Sequence, residues 1–159
     1  MQPPNSPTVT LLEPWYPPAE ARPFPTAGYR CSAWLFCFNP RKQVYTSHRF
    51  RALLSTGEPY SIVLPFLSGN GTFIVCEEET ACQETHVWWG VPCRFVRVRM
   101  RLPVVGASIP RRFTLRALLP LEEVNDVPPF IRLGGNFLYD TAARAELESD
   151  PRQGRLIIP

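Results

Sequence analysis

Arg51-Ala52-Leu53-Leu54-Ser55-Thr56-Gly57 is the stretch whose reading decides the fold. Three apolar residues in a row predict a strand. The Ser-Thr-Gly that follows is small and polar and predicts a tight turn. Upstream, Tyr29 to Phe38 is rich in aromatic and apolar residues, and Asn39-Pro40-Arg41-Lys42 carries turn chemistry. Gln43 to Leu54 continues as a second strand, so the pair predicts a β-hairpin that ends in the Ser-Thr-Gly turn. Cys31 and Cys37 are an even number of residues apart, so they share a face but lie too far along the strand to be bridged.

Downstream, Glu58-Pro59-Tyr60-Ser61 leads into an apolar run, Ile62 to Leu67, closed by the turn Ser68-Gly69-Asn70-Gly71. Residues 72–86 show no clear period and receive no assignment. Val87 to Leu102 is the clearest strand signal: Val96, Val98, Met100 and Leu102 fall on one face and Arg97, Arg99 and Arg101 on the other. Arg112 to Leu121 predicts a further strand, and Phe130 to Leu133 a short one stopped by Gly134-Gly135. Asn136 to Ala143 predicts a short helix capped by Asn136, and Ala145 to Ser149 with Arg155 to Ile158 a terminal hairpin. The sum is a mostly β domain of about seven or eight strands with one helix.

A chain of 159 residues, 45% hydrophobic and 19% charged, fits one folded domain. Many of its 19 prolines lie in residues 1–28, which read as an extended arm that Trp15, Tyr16 or Phe24 could pin to the body or to a partner. Residues 29–159 then form the domain. A formal charge of +3 does not by itself imply nucleic acid. No apolar run approaches the ~18 residues a membrane span needs, and the N-terminus lacks signal-peptide chemistry, so a cytoplasmic protein without membrane contact is expected. Five cysteines, an odd number, predict reduced and mostly buried thiols.

Three segments together resemble the retropepsin-like family of single-lobed aspartic peptidases. Ala52-Leu53-Leu54-Ser55-Thr56-Gly57 is similar to the catalytic strand and turn, where the family carries Asp-Thr-Gly or Asp-Ser-Gly. Trp88-Trp89-Gly90-Val91-Pro92-Cys93-Arg94 is similar to the flap, a hairpin with glycine at its tip. Phe130-Ile131-Arg132-Leu133-Gly134-Gly135-Asn136-Phe137-Leu138 resembles the apolar strand and glycine that precede the family's helix. The resemblance implies an all-β closed barrel of the retropepsin-like acid-protease type with one short helix. It also implies a homodimer, in which two subunits supply one carboxylate each. Ser55 would stand at the catalytic Asp position, with Thr56 bonded across the dimer, Gly57 completing the turn, and Trp88, Trp89 and Gly90 over an extended peptide or protein segment.

The chemistry turns on Ser55. A hydroxyl does not ionise near neutral pH and cannot replace one of two carboxylates that share a proton. Glu58 lies outside the triplet's geometry, and Asp126 and Asp140 have no motif around them. A nucleophilic serine would need a base; His48 sits an odd number of residues from Ser55, and His86 lies in the unassigned stretch. Cys76, Cys82, His86 and Cys93 have five, three and six residues between them, a poor fit to the about two to four between paired zinc ligands. Neither metal nor cofactor is therefore expected. Arg94, Arg97, Arg99, Arg101, Arg111, Arg112 and Arg116 read as a solvated face, because only Phe95 shares parity with the β-strand arginines and could stack on bases. Outside the resemblance, Gly57 and Gly134 read as turn residues that permit positive φ.

Three readings stay open. The first is a degenerate peptidase domain, a pseudoenzyme that keeps dimerisation or peptide binding. The second is an Asp-to-Ser form of an active aspartic endopeptidase, a hydrolase. The third is a structural or interaction domain without catalysis.

Overall fold

The computed structural model describes residues 6–16, 28–39, 43–64, 73–74, 76–78, 85–122, 131–149 and 152–159. Among them are twelve strands and one helix. The strands are β1 (Thr8–Trp15), β2 (Gly28–Asn39), β3 (Val44–Leu54), β4 (Ser61–Val63), β5 (Phe73–Ile74), β6 (Cys76–Glu78), β7 (His86–Trp88), β8 (Val91–Leu102), β9 (Arg111–Pro120), β10 (Ile131–Leu133), β11 (Arg144–Ser149) and β12 (Arg152–Ile158). The helix α1 spans Gly135–Thr141. The all-β class is therefore as expected, with more and shorter strands than the sequence suggests.

Hydrogen bonding joins the strands in the order β11-β12-β1-β2-β3-β10-β4-β9-β8-β6. The path turns back on itself, because β2 also pairs with β8 through Trp34↔Arg101 and Leu35↔Met100. The β2–β3 hairpin runs in register from Tyr29↔Leu54 to Asn39↔Val44. The three-residue β10 lies between β3, to which it is parallel, and β4, to which it is antiparallel. Strands β4 and β10 are buried on both faces.

Alternation decides which side faces the core. Val96, Val98, Met100 and Leu102 are all buried, as their parity predicts, together with Ala33, Leu35, Leu115, Ile131 and Leu133 in the main cluster. Burying one such aliphatic side chain stabilises by about 1.5–3 kcal/mol. A second cluster of Ile62, Leu64, Trp88, Cys93, Phe95 and Leu118 packs near the β7–β8 hairpin.

The extended arm needs correction. Thr8–Trp15 is a strand of the sheet, paired to β12 and β2. Leu12 (4% exposed) and Trp15 (6%), from opposite faces of the strand, are both buried, and this outweighs the proline composition. Trp15 does pin the segment, whereas Tyr16 is exposed and Phe24 lies outside the described residues. The helix also begins earlier than expected. Gly134, not Asn136, is the N-cap residue. The Asn136 side chain is used elsewhere: its Oδ1 accepts from Ser61 N at 2.6 Å and Ser61 Oγ at 2.8 Å, and its Nδ2 donates to Arg116 O at 2.7 Å.

Cys31 and Cys93 are free and buried, and the other three cysteine side chains lie outside the description. Burial, and secondarily the Glu13 carboxylate, push the Cys31 thiol from its ordinary 9.0 to about 12. Above pH 9 the unfolded thiol ionises while the folded one holds its proton, so this contribution to stability is lost as pH rises from 9 towards 12. A disulfide reagent at pH 8 is expected to leave Cys31 unlabelled until denaturant is added. Mass spectrometry of the labelled peptides checks this, and rapid native labelling of Cys31 would contradict its burial.

Candidate functional site

The β3 strand delivers Ser55 to a tight turn. Ser55 N–H donates to the Leu133 carbonyl of β10 at 2.9 Å, extending the parallel pairing Leu133↔Leu54 by one bond. The turn is closed by Glu58 N–H donating to Ser55 O at 3.1 Å. Ser55 is 8% exposed, whereas Thr56 and Gly57 are exposed. Gly57 does not have positive φ, and a Cβ there would meet nothing within 4 Å.

The loop after the turn is tied to the helix start. Gly135 N–H donates to Glu58 O at 2.7 Å, Asn136 N–H to Pro59 O at 3.0 Å, and Gly134 N–H to the Ser61 hydroxyl at 2.9 Å. Gly134 also lacks positive φ, at −88°. Its requirement is close approach: a Cβ would lie 2.5 Å from both C and O of Tyr60.

Strands β7 and β8 form a hairpin whose tip is Trp89-Gly90, closed by the pair Trp88↔Val91. Both tip residues have positive φ, 48° for Trp89 and 80° for Gly90. That is the type I′ geometry that suits strand twist, with a bulky residue in a conformation usually left to Asn or Gly. The tip is fastened to the Ser55 loop, because Trp89 Nε1 donates to Glu58 Oε1 at 3.0 Å. A groove of about 500 Å³ is lined by Trp15, Tyr29, Leu54 and the run 55–58, together with Trp89 and Leu147.

The structure thus brings Ser55, Thr56, Gly57 and Trp89 to one groove and separates Trp88 from them. Trp88 is 5% exposed and packs in the second cluster, with the Arg132 guanidinium 5.1 Å from its ring centre. The expectation of two tryptophans over the groove is corrected to one, because consecutive residues point to opposite sides at the strand end. Gly90 shapes the turn without lining the groove. Trp15, Tyr29 and Leu147 are groove residues that sequence reasoning missed. They come from β1, β2 and β11, and no local pattern announces that these strands meet here.

The other candidates lie elsewhere. His86 packs edge-on against Phe95 at 4.4 Å and Tyr60 at 5.5 Å in the second cluster. His48 is half-buried beside Phe50. Neither histidine lines the Ser55 groove. Asp140 is exposed on α1, and Asp126, Cys76 and Cys82 fall outside what is described of side chains. No group of three potential metal ligands occurs among the described residues. No helix of the described residues is long and apolar enough to cross a membrane.

Glu58→Ala is expected to release the hairpin tip. Amide exchange over residues 89–91 should rise severalfold, while stability to urea changes by less than about 1 kcal/mol, because the bond is exposed. Unchanged exchange would mean that the β7–β8 pairing alone holds the tip.

No protein-family model matches the chain, and no curated protein matches its sequence.

Proposed function

We propose that the chain is a degenerate retropepsin-like aspartic-peptidase domain, a homodimer that binds an extended peptide or protein segment with proteolysis weak or lost. In this reading the returning sheet is the closed barrel of the retropepsin-like acid-protease type, and the β7–β8 hairpin is its flap.

One observation carries the reading. Ser55 opens a turn whose backbone is bonded to a central parallel strand, and the hairpin tip at Trp89 lines the same groove and is bonded to the same loop. A peptidase of this type needs that juxtaposition, since the tip must cover the peptide bond held at the turn. The groove's Trp15, Tyr29, Leu54, Trp89 and Leu147 favour apolar peptide side chains.

The residue that should ionise is a serine, which leaves a binding surface with its general base removed. The test sets the protein beside Ser55→Asp, with peptide cleavage measured between about pH 4 and 7 and mass measured by sedimentation. Cleavage by Ser55→Asp alone, in a dimer, supports the reading. A strictly monomeric protein that neither binds nor cleaves peptides in either form would overturn it.

A further inference from the structure

Four strands share one outward face on the sheet. The registers Arg49↔Trp34, Trp34↔Arg101 and Arg101↔Arg112 set β3, β2, β8 and β9 side by side at one level. Arg99↔Thr114 and Arg97↔Arg116 extend the face along β8 and β9. Of its arginines, Arg49, Arg97, Arg99, Arg112 and Arg116 are exposed and Arg101 is half-buried. One cross-strand pair, Arg101↔Arg112, sets like charges directly opposite, which is destabilising, whereas Arg97 is in register with Arg116 on one side and Glu77 on the other. A face that only had to be wet would be better served by mixed signs. At one border Glu13 binds Arg30 and Arg51 at 2.9 and 3.1 Å.

Aromatic rings lie among these charges. On β2, Trp34 is half-buried and Phe36 is 37% exposed, and both share the face with the arginines. The Arg101 guanidinium lies 5.9 Å from the Phe36 ring centre. Phe36, Arg99, Arg112 and Thr114 line a shallow cavity of about 300 Å³ with Phe113 at its side. The expectation of no nucleic-acid partner rested on Phe95 as the one ring with arginine parity. Phe95 is in fact 5% exposed and covered by the Arg116 guanidinium at 4.0 Å, so it offers no stacking surface. Rings come instead from β2, through a pairing distant in sequence.

We infer that this face binds single-stranded nucleic acid, with backbone phosphates along the β8 and β9 arginines and bases stacked on Phe36 and Trp34. Guanidinium groups pair bidentately with phosphate oxygens. Same-face residues on β8 recur about every 6.6 Å, a spacing that an extended sugar–phosphate backbone can follow. Exposed rings amid the charges suit unstacked bases, whereas a duplex would hide its bases from a flat sheet. An acidic peptide would match the charge of the face and leave the rings unused. The face is distinct from the Ser55 groove, since Trp34 lies about 16 Å along β2 from Tyr29.

The test is fluorescence anisotropy of a labelled oligothymidylate of about 20 nucleotides with the full chain at varied salt. Micromolar binding is expected at about 50 mM salt, with log K falling against log salt at a slope of about −0.7 per phosphate neutralised. Arg99→Gln with Arg112→Gln should weaken binding tenfold or more and move the slope by about 1.4 towards zero. Phe36→Leu should weaken binding about fivefold or more and leave the slope unchanged. Circular dichroism confirms that each variant folds. Absence of binding at about 50 mM salt would overturn the inference, as would a salt slope insensitive to the arginine changes. Equal binding of polyglutamate, or tighter binding of a duplex of the same length, would overturn it too.

Discussion

Gly134→Ala is expected to cost more than about 3 kcal/mol of the protein's stability. The added methyl would lie 2.5 Å from the carbonyl carbon and oxygen of Tyr60 and 2.8 Å from Ser61 N, all of them backbone atoms. The segment cannot simply step away. It is held by Gly135 N–H to Glu58 O, Asn136 N–H to Pro59 O, and the Ser61 bonds to Asn136 and Gly134. Each such bond contributes about 0.5–1.5 kcal/mol, and overpacking against rigid structure costs about 1–3 kcal/mol or more. A loss above about 3 kcal/mol is therefore expected, against a typical total of about 5–15 kcal/mol. Urea denaturation measures it. Gly57→Ala is the matched control: nothing lies within 4 Å of its Cβ position and its φ is not positive, so a change within about 1 kcal/mol is expected. Equal effects of the two changes would show that the approach of Gly134 to Tyr60 does not hold the site together.

Ser55→Asp is expected to create an acid-dependent endopeptidase. Ser55 is 8% exposed and its backbone is fixed by the bond to Leu133, so an introduced carboxylate would occupy a set position at the groove. Two such groups, one from each subunit of the proposed dimer, would share a proton, because like charges about 3 Å apart cannot both ionise. The pair then acts as acid and base together, and the rate should trace a bell against pH that reports the pair rather than either residue. Cleavage at least about 100-fold above the unaltered protein is expected, as general acid–base catalysis alone supplies about 10²–10⁴. Transition-state mimics of peptide hydrolysis should block it. Measured beside it, the Ser55 protein should bind peptide without cutting. Should Ser55→Asp remain a peptide-binding dimer and cut nothing, the likeness of this turn to a catalytic turn would be one of shape only. Cleavage by the Ser55 protein itself would assign the chemistry to a different residue.

Both predictions act on backbone arrangements of which the sequence showed only half. The Leu53-Leu54-Ser55-Thr56-Gly57 stretch reads as strand and turn on its own, and the turn is where it was expected. Nothing local says that Leu133 accepts its first hydrogen bond. The Trp89-Gly90 tip was expected only from the resemblance to a flap, whereas the alternation alone read as one strand from Val87 to Leu102, which the structure breaks at this turn. That only one of two adjacent tryptophans faces the groove followed from where the strand ended.

What the sequence determined by itself is whatever short-range chemistry dictates. The period of two along β8 assigned Val96, Val98, Met100 and Leu102 to the core, and turn residues punctuated the β2–β3 and terminal hairpins. These signals arise because successive strand residues face opposite sides, and because glycine, proline and asparagine bias their own dihedrals. The tertiary structure alone decided which strands meet. It drew Thr8–Trp15 into the sheet, inserted β10 between β3 and β4, tied Asn136 to Ser61, and laid Trp34 and Phe36 beside the β8 arginines. Such pairings leave no period in the chain. They are selected by the closing of one shared core, whose gain depends on residues far apart in sequence being buried together.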